Sequence, residues 1–171
     1  MAELAPTPVV ELSVVTVEAA AQPEPPWPFL LHVNQQTSMV GSDGGQGDPD
    51  LLMHYVVASC AGVTISGLPA SRVFGPVPRT MVLGYLHAEL GWALAEADQR
   101  YAVLNACRAL AYAEDGLVLS KMGGGAWALA HGLEMTLVKS ALTAQAAGCD
   151  LGRPTPAAQA FVGRCRAALD V

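Results

Sequence analysis

Charge is scarce in this chain: Asp, Glu, Lys and Arg make up 14% of its 171 residues, and aromatic residues only 6%. Little charge beside 52% hydrophobic residues excludes disorder over most of the length. Few aromatics, with alanine, valine and leucine supplying the apolar content, favour packed helices over a strand-rich sandwich. Basic residues are outnumbered, 9 Lys and Arg against 15 Asp and Glu, for a net charge of −6. Such a chain has no electrostatic footprint for nucleic acid or an anionic membrane. No CxxC pair occurs among Cys60, Cys107, Cys149 and Cys165, and all four, set among apolar residues, are expected to be reduced core thiols. His32, His54, His87 and His131 lack the HxxxH and HExxH spacings, so no metal site built from His and Cys is expected. Gly123, Gly124 and Gly125 have no GxxxxGK[ST] frame, since Lys121 precedes them, and GxSxG is absent; a P-loop and a hydrolase nucleophile elbow are excluded. No basic segment leads into an apolar run at the start, so no signal peptide is expected and the cytoplasm is the expected compartment. Leu51 to Ser71 holds no charged residue and has the length of a membrane span. Its Gly62, Gly67 and Pro69, with His54, Ser59, Thr64 and Ser66, read instead as a helix and a turn in a soluble core.

Residues 9–17, VVELSVVTV, are β-branched with alternating polarity and predict one strand. A strand needs a neighbour for its backbone groups, and nothing later supplies an obvious sheet, although Phe29 to Val33 has strand character. Residues 18–48 form an irregular connection, first proline-rich around Trp27 and then glycine-rich. From Asp50 the periodicity is helical. A helix runs to about Gly62, capped by Asp48 or Asp50, and a short one ends at Gly75-Pro76-Val77-Pro78. Residues 79–96 form an amphipathic helix with Leu83, Leu86, Leu90 and Leu94 on one side. Asp98 caps the next, which Gly116 ends, with Val103, Leu104, Cys107, Leu110 and Ala111 inward. Further helices are expected over about 122–131, 134–147 and 155–169. The fold class is therefore mainly α, an antiparallel bundle of five to six helices with a short N-terminal β-strand segment.

Tyr101 to Leu129 is the most informative stretch. Arg108 lies on a helix whose other face is apolar, and Lys121 follows a serine at the start of the next helix. Two cations from adjacent elements can converge on a polyphosphate, Arg as a bidentate fork and Lys as a point charge. Two solvated helix faces would give the same spacing. Gly41-Ser42 followed by Asp48-Pro49-Asp50 imitates a metal-binding turn with paired carboxylates. The second aspartate opens a helix, however, and the segment reads as a linker with a helix cap.

The run Asp98-x-Arg100-Tyr101, Val103-Leu104-Asn105-x-Cys107-Arg108, Asp115-Gly116, Ser120-Lys121 and Trp127-Ala128-Leu129 resembles the C-terminal helical domain of aminoglycoside adenylyltransferases, which modify streptomycin and spectinomycin. The resemblance reaches back through Gly67-Leu68-Pro69 and Val73-Phe74-Gly75-Pro76-Val77-Pro78. It extends to Glu11-Leu12-Ser13-Val14-Val15, similar to the last strand of the family's nucleotidyltransferase domain. It implies that Glu11 is the general base deprotonating the substrate hydroxyl, a task suited to a rigid, strand-borne carboxylate. By the same resemblance Arg108 and Lys121 contact the nucleotide's phosphates, Asp98 binds the drug's cationic or hydroxyl groups, and Trp92 lines the drug pocket. The family has one more drug-binding acid between that tryptophan and aspartate, for which Glu96 is the available stand-in. A nucleotide-contacting tyrosine falls where Ala147 stands.

The resemblance implies ATP and Mg2+ as cofactors and an aminoglycoside-type small molecule as substrate. Family members begin with a nucleotidyltransferase domain whose Gly-Ser turn and Asp-x-Asp pair hold magnesium. With ten residues before Glu11, the expectation is a truncated enzyme: residues 1–48 a remnant of that domain and 49–171 the helical domain, with no metal ligands. The alternative is a non-catalytic helical domain that binds a ligand, docks on a separate nucleotidyltransferase chain in trans, or self-associates.

Overall fold

The computed structural model describes residues 11–33, 38–40 and 47–169, the side chains of 38–40 excepted. The chain is mainly α and divides between Val77 and Pro78 into two compact units.

In the first unit the strand predicted at the N-terminus is β1, Leu12–Val14; the beginning of its predicted range, Val9 and Val10, lies outside the described residues. It is not an orphan. It pairs antiparallel with β2, Leu31–Val33, which pairs antiparallel with β3, Ser38–Val40. Each strand has only three residues, too few to show alternation, so the sequence did not disclose the sheet. Between β1 and β2, Thr16 caps a short helix α1, Val17–Ala21, accepting from the Ala19 N–H. The proline-rich piece that follows is anchored: Trp27 and Phe29 are buried. Trp27 meets Tyr55 edge-on at 6.2 Å, and Tyr55 packs against Phe74 at 5.3 Å.

Helix α2, Leu51–Ala61, buries Leu51, Leu52, Tyr55 and Val56. Asp50 occupies its N-cap position without a capping side-chain bond, while the Asp48 carboxylate accepts from the Asp50 N–H at 3.0 Å. Gly62 ends the helix, and after a turn α3 spans Ala70–Val73. The uncharged stretch is thus a helix and a turn, and no helix among the described residues is long and apolar enough to cross a membrane. Of the imitation metal motif, Gly41-Ser42 lies outside the described residues, and the Asp48 carboxylate closes a turn onto the Asp50 N–H.

The second unit is a bundle of α4 (Arg79–Glu96), α5 (Gln99–Asp115), α6 (Lys121–Ala130), α7 (Met135–Ala147) and α8 (Pro156–Ala167). At the head of α5 the Asp98 carboxylate accepts from the N–H groups of Arg100 and Tyr101 at 2.8 and 3.3 Å, satisfying two donors that a helix start leaves open. Gly116 ends α5 with φ +70°, a left-handed turn that glycine adopts without strain. Helix α5 packs against α4, α6, α7 and α8, and Ala102 through Cys107 are all buried. On α4 the buried residues are Val82, Leu86, Leu90 and Ala93, so the apolar stripe sits one position off the predicted leucines at both ends. Leu83 and Leu94 are only half-buried, because the face that α4 turns to α5 and α8 is centred on Val82, Leu86, Leu90 and Ala93. The expectation of four core thiols holds for Cys107 and Cys165; Cys60 and Cys149 are exposed. Both exposed cysteines follow the last buried turn of their helices, where an apolar neighbourhood in sequence no longer means burial in space.

Candidate functional site

Tyr101 and Asn105 project from α5 toward Glu89 on α4. The Tyr101 hydroxyl donates to Glu89 Oε1 at 2.7 Å, and Asn105 Nδ2 lies 3.4 Å from the same oxygen. Asn105, one of two buried polar side chains among the described residues, passes the chain of bonds on: its Oδ1 accepts from Arg108 Nη2 at 2.5 Å. Residues 101, 105 and 108 share one face of α5 because they are spaced by four and three. The Glu89 carboxylate thus holds Tyr101 and Asn105 in place, and Asn105 orients the guanidinium of Arg108.

Lys121 enters from the start of α6, where Ser120 caps the helix by accepting from the Gly123 N–H at 3.0 Å. Its Nζ sits 4.2 Å from the centre of the Tyr101 ring, a cation–π contact. The edge of Tyr101 meets Trp92 at 5.8 Å, and Trp92 remains half exposed. Asp98 completes the group: besides capping α5, its Oδ2 pairs with Arg100 Nη2 at 3.3 Å. Arg100 Nε is buried without a hydrogen-bond partner among the described residues.

The electrostatics are those of cations held close together in a partly buried setting. Burial lowers Lys121 from the ordinary lysine value, and the charges of Arg108 and Arg100 lower it further, against opposition from Asp98 and Glu89. Burial also lowers Arg108, offset by Tyr101, Glu89 and Tyr85. Tyr101 is pushed up to about 12, chiefly by burial and then by its bond to the Glu89 carboxylate. Two half-buried cations beside a third favour an anion that several donors can share.

The three consecutive glycines, which carry no phosphate-loop frame, have a packing role. A Cβ on Gly124 would lie 2.6 Å from Arg108 Cγ and 2.9 Å from the Arg108 backbone nitrogen; one on Gly125 would lie 2.6 Å from Leu142 Cδ2. They let α6 approach α5 and so bring Lys121 near Arg108. At the far end of α6, Trp127 Nε1 donates to Asp115 Oδ2 at 2.7 Å and fixes the helix against the end of α5.

Of the sequence-predicted residues, Trp92, Asp98, Arg108 and Lys121 come together around Tyr101. Glu11 belongs to the other unit and has its own surroundings. Its Oε1 lies 3.7 Å from His32 Nε2 and 4.0 Å from His54 Nε2, and its side chain is 45% exposed. Sequence reasoning missed Glu89 and gave no role to Tyr101 and Asn105, although both stand in the motif that carries the resemblance. The spacing of 101, 105 and 108 was visible; the partner three residues before Trp92 on another helix was not. Glu96, the suggested stand-in acid, is exposed on the last turn of α4. No group of three His, Cys, Asp or Glu side chains among the described residues could hold a metal ion.

Residues 72–153 match the family model described as aminoglycoside adenylyltransferase, C-terminal domain. Among solved structures the chain is similar to the spectinomycin adenyltransferase AAD(9) from Enterococcus faecialis, crystallised with ATP and spectinomycin. The two are 14% identical, the match covers 99% of this chain and 71% of that one, and the TM-score is 0.70. At that identity the likeness is one of fold. A comparison with curated proteins finds no match.

Proposed function

We propose that this chain, whose residues 72–153 match the family model described as aminoglycoside adenylyltransferase, C-terminal domain, serves adenylyl transfer from ATP to a hydroxyl of a spectinomycin- or streptomycin-like drug. The observation that carries this reading is the meeting of Arg108 and Lys121 beside the Asp98 carboxylate and the exposed indole of Trp92. Arg108 and Lys121 hold phosphate oxygens and stabilise the charge that develops on the departing pyrophosphate. Asp98 and Trp92 receive the drug, Asp98 its ammonium or hydroxyl groups through the lone pair that capping and the Arg100 pairing leave on Oδ2, and Trp92 its ring face. Glu11 is the general base. It takes the proton of the drug hydroxyl as that oxygen attacks the α-phosphorus; the new O–P bond forms while the bond to the β-phosphate oxygen breaks, and pyrophosphate leaves. Glu11 immediately precedes β1, in a segment that we assign, with residues up to 48, to the nucleotidyltransferase side of the reaction, and residues 49–171 to the helical side.

Magnesium accompanies this class of reaction, but the described residues offer no ligand set for it, and no step above passes through a metal ion.

The test is incubation of the purified chain with magnesium-ATP and each drug, read by mass spectrometry for a drug–adenylyl adduct. Adduct formation that Asp98→Asn and Arg108→Ala each reduce by roughly 100-fold supports the assignment. Drug binding without any adduct would leave a ligand-binding domain and remove the transferase reading.

A further inference from the structure

Besides Asn105, one polar side chain among the described residues is buried: His32, on β2. Burying an imidazole requires partners, and the sheet supplies the first directly. Ser13 stands opposite His32 in the β1–β2 register, with its Oγ 3.0 Å from His32 Nδ1. Asp48 Oδ2 lies 3.8 Å from Nδ1, and Phe29 meets the ring edge-on at 6.0 Å. The other ring nitrogen, Nε2, faces Glu11 Oε1 at 3.7 Å, and the more exposed His54, from α2, approaches the same oxygen.

We propose that His32 is a positioning residue for Glu11, with Ser13 selecting the ring tautomer that lets it act. This inference rests on the reading of Glu11 as the base. In the proposed tautomer the Ser13 hydroxyl donates to Nδ1 and the ring hydrogen sits on Nε2, turned toward the Glu11 carboxylate, rather than on Nδ1 toward Asp48. The 3.7 Å separation is too long for a hydrogen bond, and the proposal requires the exposed Glu11 side chain to close it by rotating toward the buried ring. Donation from Nε2 to Oε1 then immobilises one carboxylate oxygen and presents the other to the substrate hydroxyl. A free, exposed glutamate would have to lose its rotamer freedom at the moment of reaction; this one is aimed beforehand.

Two readouts test the inference. Nitrogen-15 imidazole NMR on the full chain should show His32 with its hydrogen on Nε2. Ser13→Ala should mix the tautomers, and Glu11→Gln should move the Nε2 resonance while leaving Nδ1 in place. A hydrogen on Nδ1, or an Nε2 resonance indifferent to Glu11→Gln, overturns the proposal, and neither observation needs catalysis. In turnover, His32→Gln places an amide donor near the position of Nε2–H and should keep kcat within about 3-fold. His32→Asn reaches only Ser13 and should lose kcat by about 10- to 100-fold with KM unchanged. Equal losses in the two variants, or a change confined to KM, would make His32 a mere packing residue. If the wild-type chain forms no adduct, the proposed function falls, and the NMR still decides whether His32 is coupled to Glu11.

Discussion

Tyr101 carries three duties with one ring: its hydroxyl binds Glu89, its face receives Lys121 and its edge meets Trp92. Because burial and Glu89 raise its pKa to about 12 from the ordinary tyrosine value of 10.0, the neutral hydroxyl belongs to the folded state. Its contribution is complete below pH 10 and is lost as pH rises toward about 12, where the folded form also ionises. Tyr101→Phe should therefore cost about 1 kcal/mol at pH 8, and urea midpoints taken at rising pH should show the gap to wild type narrowing above pH 10. A gap that stays constant would mean that the hydroxyl is not bound as described. The cysteines separate in the same manner. Burial pushes Cys107 and Cys165 up to about 12, whereas Cys60 and Cys149 are exposed. Ellman's reagent at pH 8 should label Cys60 and Cys149 in the native chain and all four thiols in urea.

At the scale of elements, glycine substitutions should have opposite signs according to what surrounds them. Gly124→Ala forces its methyl into the Arg108 backbone and should destabilise by about 1–3 kcal/mol, weakening nucleotide binding as α6 carries Lys121 away. Gly163→Ala, in α8 with nothing within 4 Å of the added carbon, should stabilise by about 0.5–1 kcal/mol. Denaturant midpoints of the two variants check the contrast. The same helices show what the sequence could disclose. Asp98 and Gly116 marked both ends of α5 because a cap and a left-handed turn are local chemistry. The stripe on α4 shifted to Val82 and Ala93 because burial depends on which neighbours come close. Glu89 was illegible for a related reason: its partners lie 12 and 16 residues away, and no periodicity says that this face of α4 meets α5. The role of Gly124 and Gly125 is visible only once the neighbouring helices are in place.

For the whole molecule, a net charge of −6 creates a field that draws cations and repels ATP. On the proposed function, the half-buried Arg108 and Lys121 offset that field where the nucleotide binds, while a polycationic drug is attracted from a distance. Affinity for streptomycin should fall by roughly 10-fold between low and high salt, as screening shortens the reach of that field. Calorimetric titration in a salt series checks this; a flat series would place recognition in contacts rather than charge. One feature of the bundle bears on how such a chain changes over generations. Helix α5 is hemmed in by four others and is packed with alanines that have no exposed surface. It also carries Tyr101, Asn105 and Arg108, so a mutation there disturbs foldability and recognition together. Adaptation to a new ligand is directed to its flanks, at half-exposed Trp92 on α4 and at the residues between the Gly116 turn and the Ser120 cap, where variation leaves both ends of the connection in place.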